Sequence, residues 1–396
     1  MSIARVFLAL LATAALAACQ SIAVLDQPIP DAELRSGTAV FGEPVWSTDL
    51  PDVELVATDE AMRAFVASVA QAPRERDRLR ALLDLMRRHG YVANTYEPYL
   101  NLTAREAFAV KRGNCLSYTS LFVALAREAG FDAKFQVVAV PPDYDSVDGR
   151  LVLNKHVNVR IENVPGRGAV TVEFSEEYAS GIYNRKVVTD DYATALHYNN
   201  LAFMHARNGD PHSEFVYLRK AIDATPDNPD YWANLGVFYG RQEQHDHAVA
   251  AHRRALAFDA YHAAAIRGLA NAYTALGRDE AARLYRKRIA HSKARDAYAY
   301  FALAQRALEA RHVAYSLEML ANAVRLFDDD YRFYELQGQA YGELGDEAAA
   351  EASFKRARTV ARASREEARI RDRTERHPRA QILIGGPHVS SFKLLE

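Results

Sequence analysis

The sequence predicts an α+β domain followed by an all-α superhelix of repeats. Three observations carry this reading. Between about residues 58 and 130, apolar positions recur at helical spacing. Between 133 and 174 they alternate in short runs, as strands do. From about 195 onward, small and bulky residues recur at a fixed interval of 34 positions. A length of 396 residues leaves room for two or three domains. Hydrophobic content of 49% with 25% charged residues is that of a globular chain, not a disordered one. A net charge of −2 gives no bulk attraction for nucleic acid or anionic lipid. The two cysteines, Cys19 and Cys115, cannot make a disulfide framework.

The amino terminus reads as an export signal. Arg5 precedes a 13-residue apolar run from Val6 to Ala18, interrupted only by Thr13 and too short to span a bilayer as a helix. The run ends Leu16-Ala17-Ala18-Cys19, which is similar to the lipobox of bacterial lipoproteins. The resemblance implies that residues 1–18 are removed and that Cys19 is lipidated and becomes the first residue. Gln20 stands where an inner-membrane retention signal has Asp, so the resemblance implies the periplasmic side of the outer membrane. No later apolar run approaches the ~18 residues of a membrane span. With Cys19 acylated, Cys115 is the lone thiol in an oxidising compartment.

Residues 19–53, with Pro28, Pro30, Pro44 and Pro51 and little periodicity, read as a tether. The α+β domain then runs over 54–192. Two amphipathic helices are expected at 58–71 and 74–89. Thr103 and Glu106 fit a capping box for a short helix. Gly113-Asn114 leads into a helix from about Cys115 to Glu128, closed by Gly130. Strands are expected at 133–140, 151–161 and 169–174, the first two separated by Pro141-Pro142 and an acidic loop.

The region 193–362 reads as about five repeats. Ala202, Gly236, Ala270, Ala304 and Gly338 are small. Tyr198, Trp232, Ile266, Tyr300 and Tyr334 are bulky, and Ala221, Ala255, Ile289, Ala323 and Ala357 form a third register. Small residues let paired helices approach, and bulky ones fill the gap to the next pair. A 34-residue period of this kind is the tetratricopeptide signature. Asn200 and Asn234 recur on the first helices of repeats one and two, a pattern that resembles the peptide-gripping Asn of such repeats. The partners implied are proteins or peptides. The tail, 363–396, mixes charges densely from Arg362 to Arg379 and reads there as a solvated helix; its basic residues are not clustered with aromatics, which argues against nucleic-acid recognition. Ile382 to Ile384 offer an apolar stretch that could dock on the repeats.

The chemistry centres on Cys115. At a helix start, unpaired N–H groups and the macrodipole favour an anion, and hence a thiolate. Lys111 and Arg112 add positive charge. The base must be held by a third group. His156 opens a strand in which Val157, Val159 and Ile161 face one way and His156, Asn158 and Arg160 the other. A hairpin pivoting near Val164-Pro165 places Glu173 across from His156, with Glu162, Glu176 and Glu177 as further carboxylates within reach. The backbone N–H of Cys115 is a natural oxyanion donor.

Gly113-Asn114-Cys115-Leu116-Ser117, the helix to Gly130, His156 and an acid on the following strand resemble the transglutaminase-like superfamily, over about residues 75–180. The resemblance implies a papain-like Cys-His-Asp core, with Cys115 as nucleophile, His156 as base and then acid, and the third role falling on Glu173. That family usually has Asp in the third place, so Glu173 is a departure. The resemblance implies acyl transfer from an amide through a thioester, by hydrolysis or to an amine. No calcium-site pattern is present, so no metal and no cofactor are expected. The fold class is therefore an α+β transglutaminase-like domain followed by a tetratricopeptide superhelix. The function expected is a lipid-anchored, periplasm-facing cysteine peptidase, amidase or acyltransferase. The alternative is a non-catalytic periplasmic scaffold in which the repeats bind partners and the first domain is a degenerate fold.

Overall fold

A computed structural model describes residues 28–70, 75–91, 97, 99–147, 150–164, 168–174, 185–293, 297–328, 330–374, 380–383 and 394–395. The signal and Cys19 lie outside the described residues. The chain divides into two compact units: Met1–Leu50 with Gly209–Ser292, and Pro51–Asn208 with Lys293–Glu396. Among the described residues no helix is long and apolar enough to cross a membrane.

In the second unit, α3 (Glu60–Ala70) and α4 (Glu75–Arg88) fall within two residues of the predicted pair. Thr103 caps α5 (Ala104–Val110): its backbone N–H donates to Glu106 Oε2 at 2.8 Å while its hydroxyl accepts from the Glu106 N–H. Helix α6 (Cys115–Glu128) is buried all round from Leu116 to Ala126, because α3 and α5 lie against it as well as the sheet. The sheet contains β1 (Ala133–Val147), β2 (Arg150–Val164), β3 (Gly168–Glu173) and β4 (Arg185–Val188), with β5 (Ala380–Leu383) and β6 (Leu394–Leu395) beyond β3. Its order is β4-β1-β2-β3-β5-β6. Val157, Val159, Ile161, Val170, Val172 and Phe174 face Leu121, Phe122 and Leu125 of α6 in one core.

The backbone departs from the expected loop at 141–149. Strand β1 continues to Val147 and pairs with β2 down to Arg150, with a register shift between Val138 and Asp143. The shift accommodates Pro141-Pro142, which cannot donate to the ladder. Strand β4, next to β1, has no apolar alternation to announce it.

The repeat region holds ten helices among the described residues: α7 (Asp190–Arg207), α8 (Pro211–Ala224), α9 (Pro229–Arg241), α10 (His245–Phe258), α11 (Ala263–Ala275), α12 (Asp279–Lys293), α13 (Ala297–Glu309), α14 (Val313–Leu326), α15 (Tyr331–Glu343) and α16 (Glu347–Thr374); α9 packs with α10, α13 with α14 and α15 with α16. The small positions Ala202, Ala270 and Ala304 and the bulky Tyr198, Trp232, Ile266 and Tyr334 are buried, as the period requires.

Two expectations are corrected. Residues 28–50, within the span 19–53 expected to be a tether, are ordered against the repeat helices of the first unit. They form the short helices α1 (Asp31–Leu34) and α2 (Thr38–Phe41). Leu34 and Val45 are buried, and the Phe41 ring lies 5.8 Å from that of Phe215. The Tyr239 hydroxyl donates to the Leu34 carbonyl at 2.6 Å, and Arg35 pairs with Asp223 at 2.8 Å. Three apolar side chains, Leu34, Phe41 and Val45, suffice for docking without any periodic spacing. The tail is the second correction. The charged stretch is helical as far as Thr374, as expected; the difference lies beyond it, where β5 adds parallel to β3, so Ile382 meets the sheet rather than the repeats. Ile384 lies outside the described residues.

Candidate active site

The sequence builds the nucleophile's position locally. Gly113 adopts φ +153°, and a Cβ there would lie 2.5 Å from that of Ser117, so this turn excludes a side chain. Asn114 caps α6, its Oδ1 accepting from the Ser117 N–H at 2.9 Å. Ser117 Oγ accepts from the Leu102 N–H at 2.8 Å, and the Asn114 N–H donates to the Leu100 carbonyl at 3.0 Å. The approach loop is thus stitched to the first turn of α6. Cys115, the first residue of that turn, is partly exposed while its neighbours are buried.

His156 and Glu173 come from adjacent strands. The observed pairs Val159 with Val172, Arg160 with Thr171 and Ile161 with Val170 are two residues out of step with the expected hairpin. Continuing that register puts Glu173 across from Asn158 rather than His156. Side chains alternate with period two, so Glu173 stays on the same face and reaches His156 diagonally. His156 Nε2 and Glu173 Oε1 are 2.7 Å apart. Both side chains are buried.

His156 also hydrogen-bonds Cys115. With Nε2 committed to Glu173, Nδ1 is the ring atom left for the sulfur. Burial alone would lower the His156 pKa. Hydrogen bonds to Cys115 and Glu173, and the negative charge those groups carry, outweigh it and push the pKa up to about 9. Glu173 is held by two more donors, Asn158 Nδ2 at 2.8 Å and the Phe174 N–H at 2.8 Å on Oε1. A carboxylate buried this deeply needs such donors to stay ionised. Asn158, not among the expected site residues, shares the polar strand face with His156, and alternation is the signal that marks it.

The remaining sequence candidates are placed as follows. Lys111 is exposed, its ammonium 5.2 Å from the Tyr91 ring, and Arg112 pairs with Glu97 at 2.6 Å. Glu162 pairs with Arg160 at 2.7 Å, and Glu176 and Glu177 lie outside the described residues. Asn200 donates to Asn101 Oδ1 at 3.2 Å, and Asn234 is half-buried on α9. Sequence reasoning missed Asn101 and His197, which lie 96 residues apart and bond through their side chains at 3.0 Å. Among the described residues no group of three or more His, Cys, Asp or Glu could hold a metal ion.

Residues 63–169 match the model of the transglutaminase-like superfamily, and residues 194–225 and 331–363 match models of the tetratricopeptide repeat. The chain carries a transglutaminase-like domain followed by tetratricopeptide repeats. The match to the transglutaminase-like domain includes Cys115 and His156 and stops before Glu173. Tetratricopeptide repeats are protein-interaction repeats. No curated protein matches the chain. Among solved structures, a MamA from Desulfovibrio magneticus RS-1 is 18% identical over 44% of this chain and 97% of its own, with a TM-score of 0.25. YrrB, described as a TPR protein with an unusual peptide-binding site, is 16% identical over 42% of this chain and 86% of its own, with a TM-score of 0.24. The pilF protein of Pseudomonas aeruginosa is 18% identical over 42% and 76%, with a TM-score of 0.24.

Proposed function

We propose that the transglutaminase-like domain is a cysteine enzyme acting on peptide or protein amides, with the repeats recruiting the substrate or a partner. The observation that carries this reading is His156, which bridges Cys115 and the buried Glu173. In the mechanism, Cys115 Sγ attacks the amide carbonyl as thiolate, forming a C–S bond. The oxyanion develops beside the α6 N-terminus, where the Cys115 N–H can donate. The tetrahedral intermediate collapses, the C–N bond breaks, and His156 delivers its proton to the departing amine. Water or a second amine then attacks the thioester, giving its proton to His156 and releasing Cys115. Glu173 holds the imidazole in orientation and stabilises its charged form throughout.

The test is the rate of iodoacetamide alkylation at neutral pH. Fast labelling of Cys115 is expected, slowed at least ~10-fold in His156→Ala, which removes the partner that favours the thiolate. Ordinary thiol reactivity, indifferent to that substitution, would instead favour the non-catalytic scaffold. The departure from Asp to Glu in the third position is what keeps the scaffold reading in play.

We also propose that the protein is a lipoprotein, anchored through Cys19 with these domains on the periplasmic side of the outer membrane. Support comes from Leu16-Ala17-Ala18-Cys19 after an apolar run. Cells fed a clickable fatty acid should label the wild-type protein and not Cys19→Ala. Equal labelling of both would remove the anchor from the proposal.

A further inference from the structure

Between the nucleophile's helix and the first repeat helix lies a buried polar network that the mechanism above does not use. Its centre is Asn101, in the loop before α5. Asn101 Nδ2 donates to the His197 carbonyl at 3.1 Å and lies 3.0 Å from His197 Nδ1. Asn101 Oδ1 accepts from Asn114 Nδ2 at 3.4 Å and from Asn200 Nδ2 at 3.2 Å. Asn114 Oδ1, in turn, takes the Ser117 N–H.

Each amide in this chain fixes the orientation of the next. A backbone carbonyl only accepts, so the His197 carbonyl requires Asn101 to turn its NH₂ that way. That choice aims Asn101 Oδ1 at Asn114, and so selects the Asn114 rotamer whose oxygen, not its NH₂, meets the first turn of α6. The opposite flip would put a donor against the Ser117 N–H and undo the cap. Burial pushes the His197 pKa down to about 4, so the ring is neutral at physiological pH. With the Asn101 NH₂ turned towards it, Nδ1 is the acceptor of this neutral ring and completes the anchor for Asn101. His197 and Asn200 both belong to α7, the first repeat helix. The four residues lie on three separate segments of one unit, so packing alone does not impose these orientations.

We propose that Asn101, held from α7 by His197 and Asn200, is a positioning residue that locks the Asn114 cap and with it the place of Cys115. Asn101 does not touch the reacting atoms. It acts by keeping the cap oxygen on the helix start, and thereby couples the first repeat helix to the nucleophile. This rests on the reading of Cys115 as a nucleophile paired with His156.

The experiment is the pH profile of iodoacetamide alkylation of Cys115 in the full chain, with far-ultraviolet circular dichroism to confirm folding. Asn101→Leu is expected to slow alkylation at neutral pH on the order of fivefold, the factor that corresponds to loss of an N-cap, and to move the profile to higher pH. His197→Asn keeps an acceptor near the place of Nδ1 and should stay within twofold of wild type. His197→Leu removes that acceptor and should follow Asn101→Leu. A folded Asn101→Leu protein with the wild-type rate and profile overturns the proposal. If Asn101→Leu does not fold, His197→Leu is read in its place, and an unchanged profile there overturns it equally. Wild-type labelling indifferent to His156→Ala is a separate result, because that arm leaves Asn101 in place. It would sink the nucleophile reading itself and this one with it.

Discussion

Glu173→Gln is expected to leave the transglutaminase-like domain folded and to lower amide turnover by roughly 10²–10⁴-fold, the range seen when a base loses its orienting carboxylate. Oε1 of Glu173 serves both His156 Nε2 and the Phe174 N–H, while Oε2 serves Asn158 Nδ2. A glutamine keeping its oxygen at the Oε1 position retains the first two bonds. Its NH₂ then faces Asn158, whose Oδ1 has no partner among the described residues and can turn to meet it. The substitution therefore removes the charge while sparing the hydrogen-bond pattern. The His156 pKa should fall from about 9, because one of the groups that raise it becomes neutral. The sign follows from linkage. A histidine raised above its unfolded value of ~6.5 contributes stability that is full below that pH and lost as pH rises through about 9. In Glu173→Gln this alkaline loss should begin at lower pH. An NMR titration of the His156 ring checks the shift, and an unchanged midpoint would remove Glu173 from its role. Glu173→Leu should be far worse, costing about 3–5 kcal/mol, because three buried donors lose their acceptor at once.

Which parts of this site could be read from the chain alone follows from the range of the interactions. The place of Cys115 is set within five residues, by a glycine that excludes a Cβ and an asparagine that caps, and both are local signals. The common face of His156 and Glu173 follows from alternation, which survives an error of two residues in register. A slip of one would have separated them. The network around Asn101 depends on α7 meeting the loop before α5, and nothing within either segment marks it. Residues 28–50 dock through Leu34, Phe41 and Val45, too widely spaced for any periodic pattern. Strand β4 has two exposed residues among its four, so it carries no hydrophobic signature.

The repeats offer the other large effect, at Gly268. His252 of α10 is fully buried between α9 and α11. A Cβ on Gly268 would lie 2.1 Å from its Nε2, and one on Gly236 would lie 2.5 Å from its Nδ1. The imidazole is clasped by two glycines and has no room to retreat from either. Gly268→Ala should therefore destabilise the first unit by about 3 kcal/mol, at the upper end of overpacking costs. Removing the ring should relieve the clash. Gly268→Ala with His252→Ala is expected to be more stable than the sum of the single substitutions, with a coupling of about 1–3 kcal/mol. Additive effects in urea melts would show that the ring and the glycine do not compete for space. The same burial makes this unit acid-sensitive. Burial, and after it His262, push the His252 pKa down to about 3, and its Nδ1 has no hydrogen-bond partner among the described residues. Below the unfolded value of ~6.5 the unfolded chain takes the proton first, so stability is full above that pH and falls towards pH 3. The slope should approach ~1.4 kcal/mol per pH unit. His252→Leu carries no proton to take up, and its stability should decline less steeply between pH 6.5 and 4.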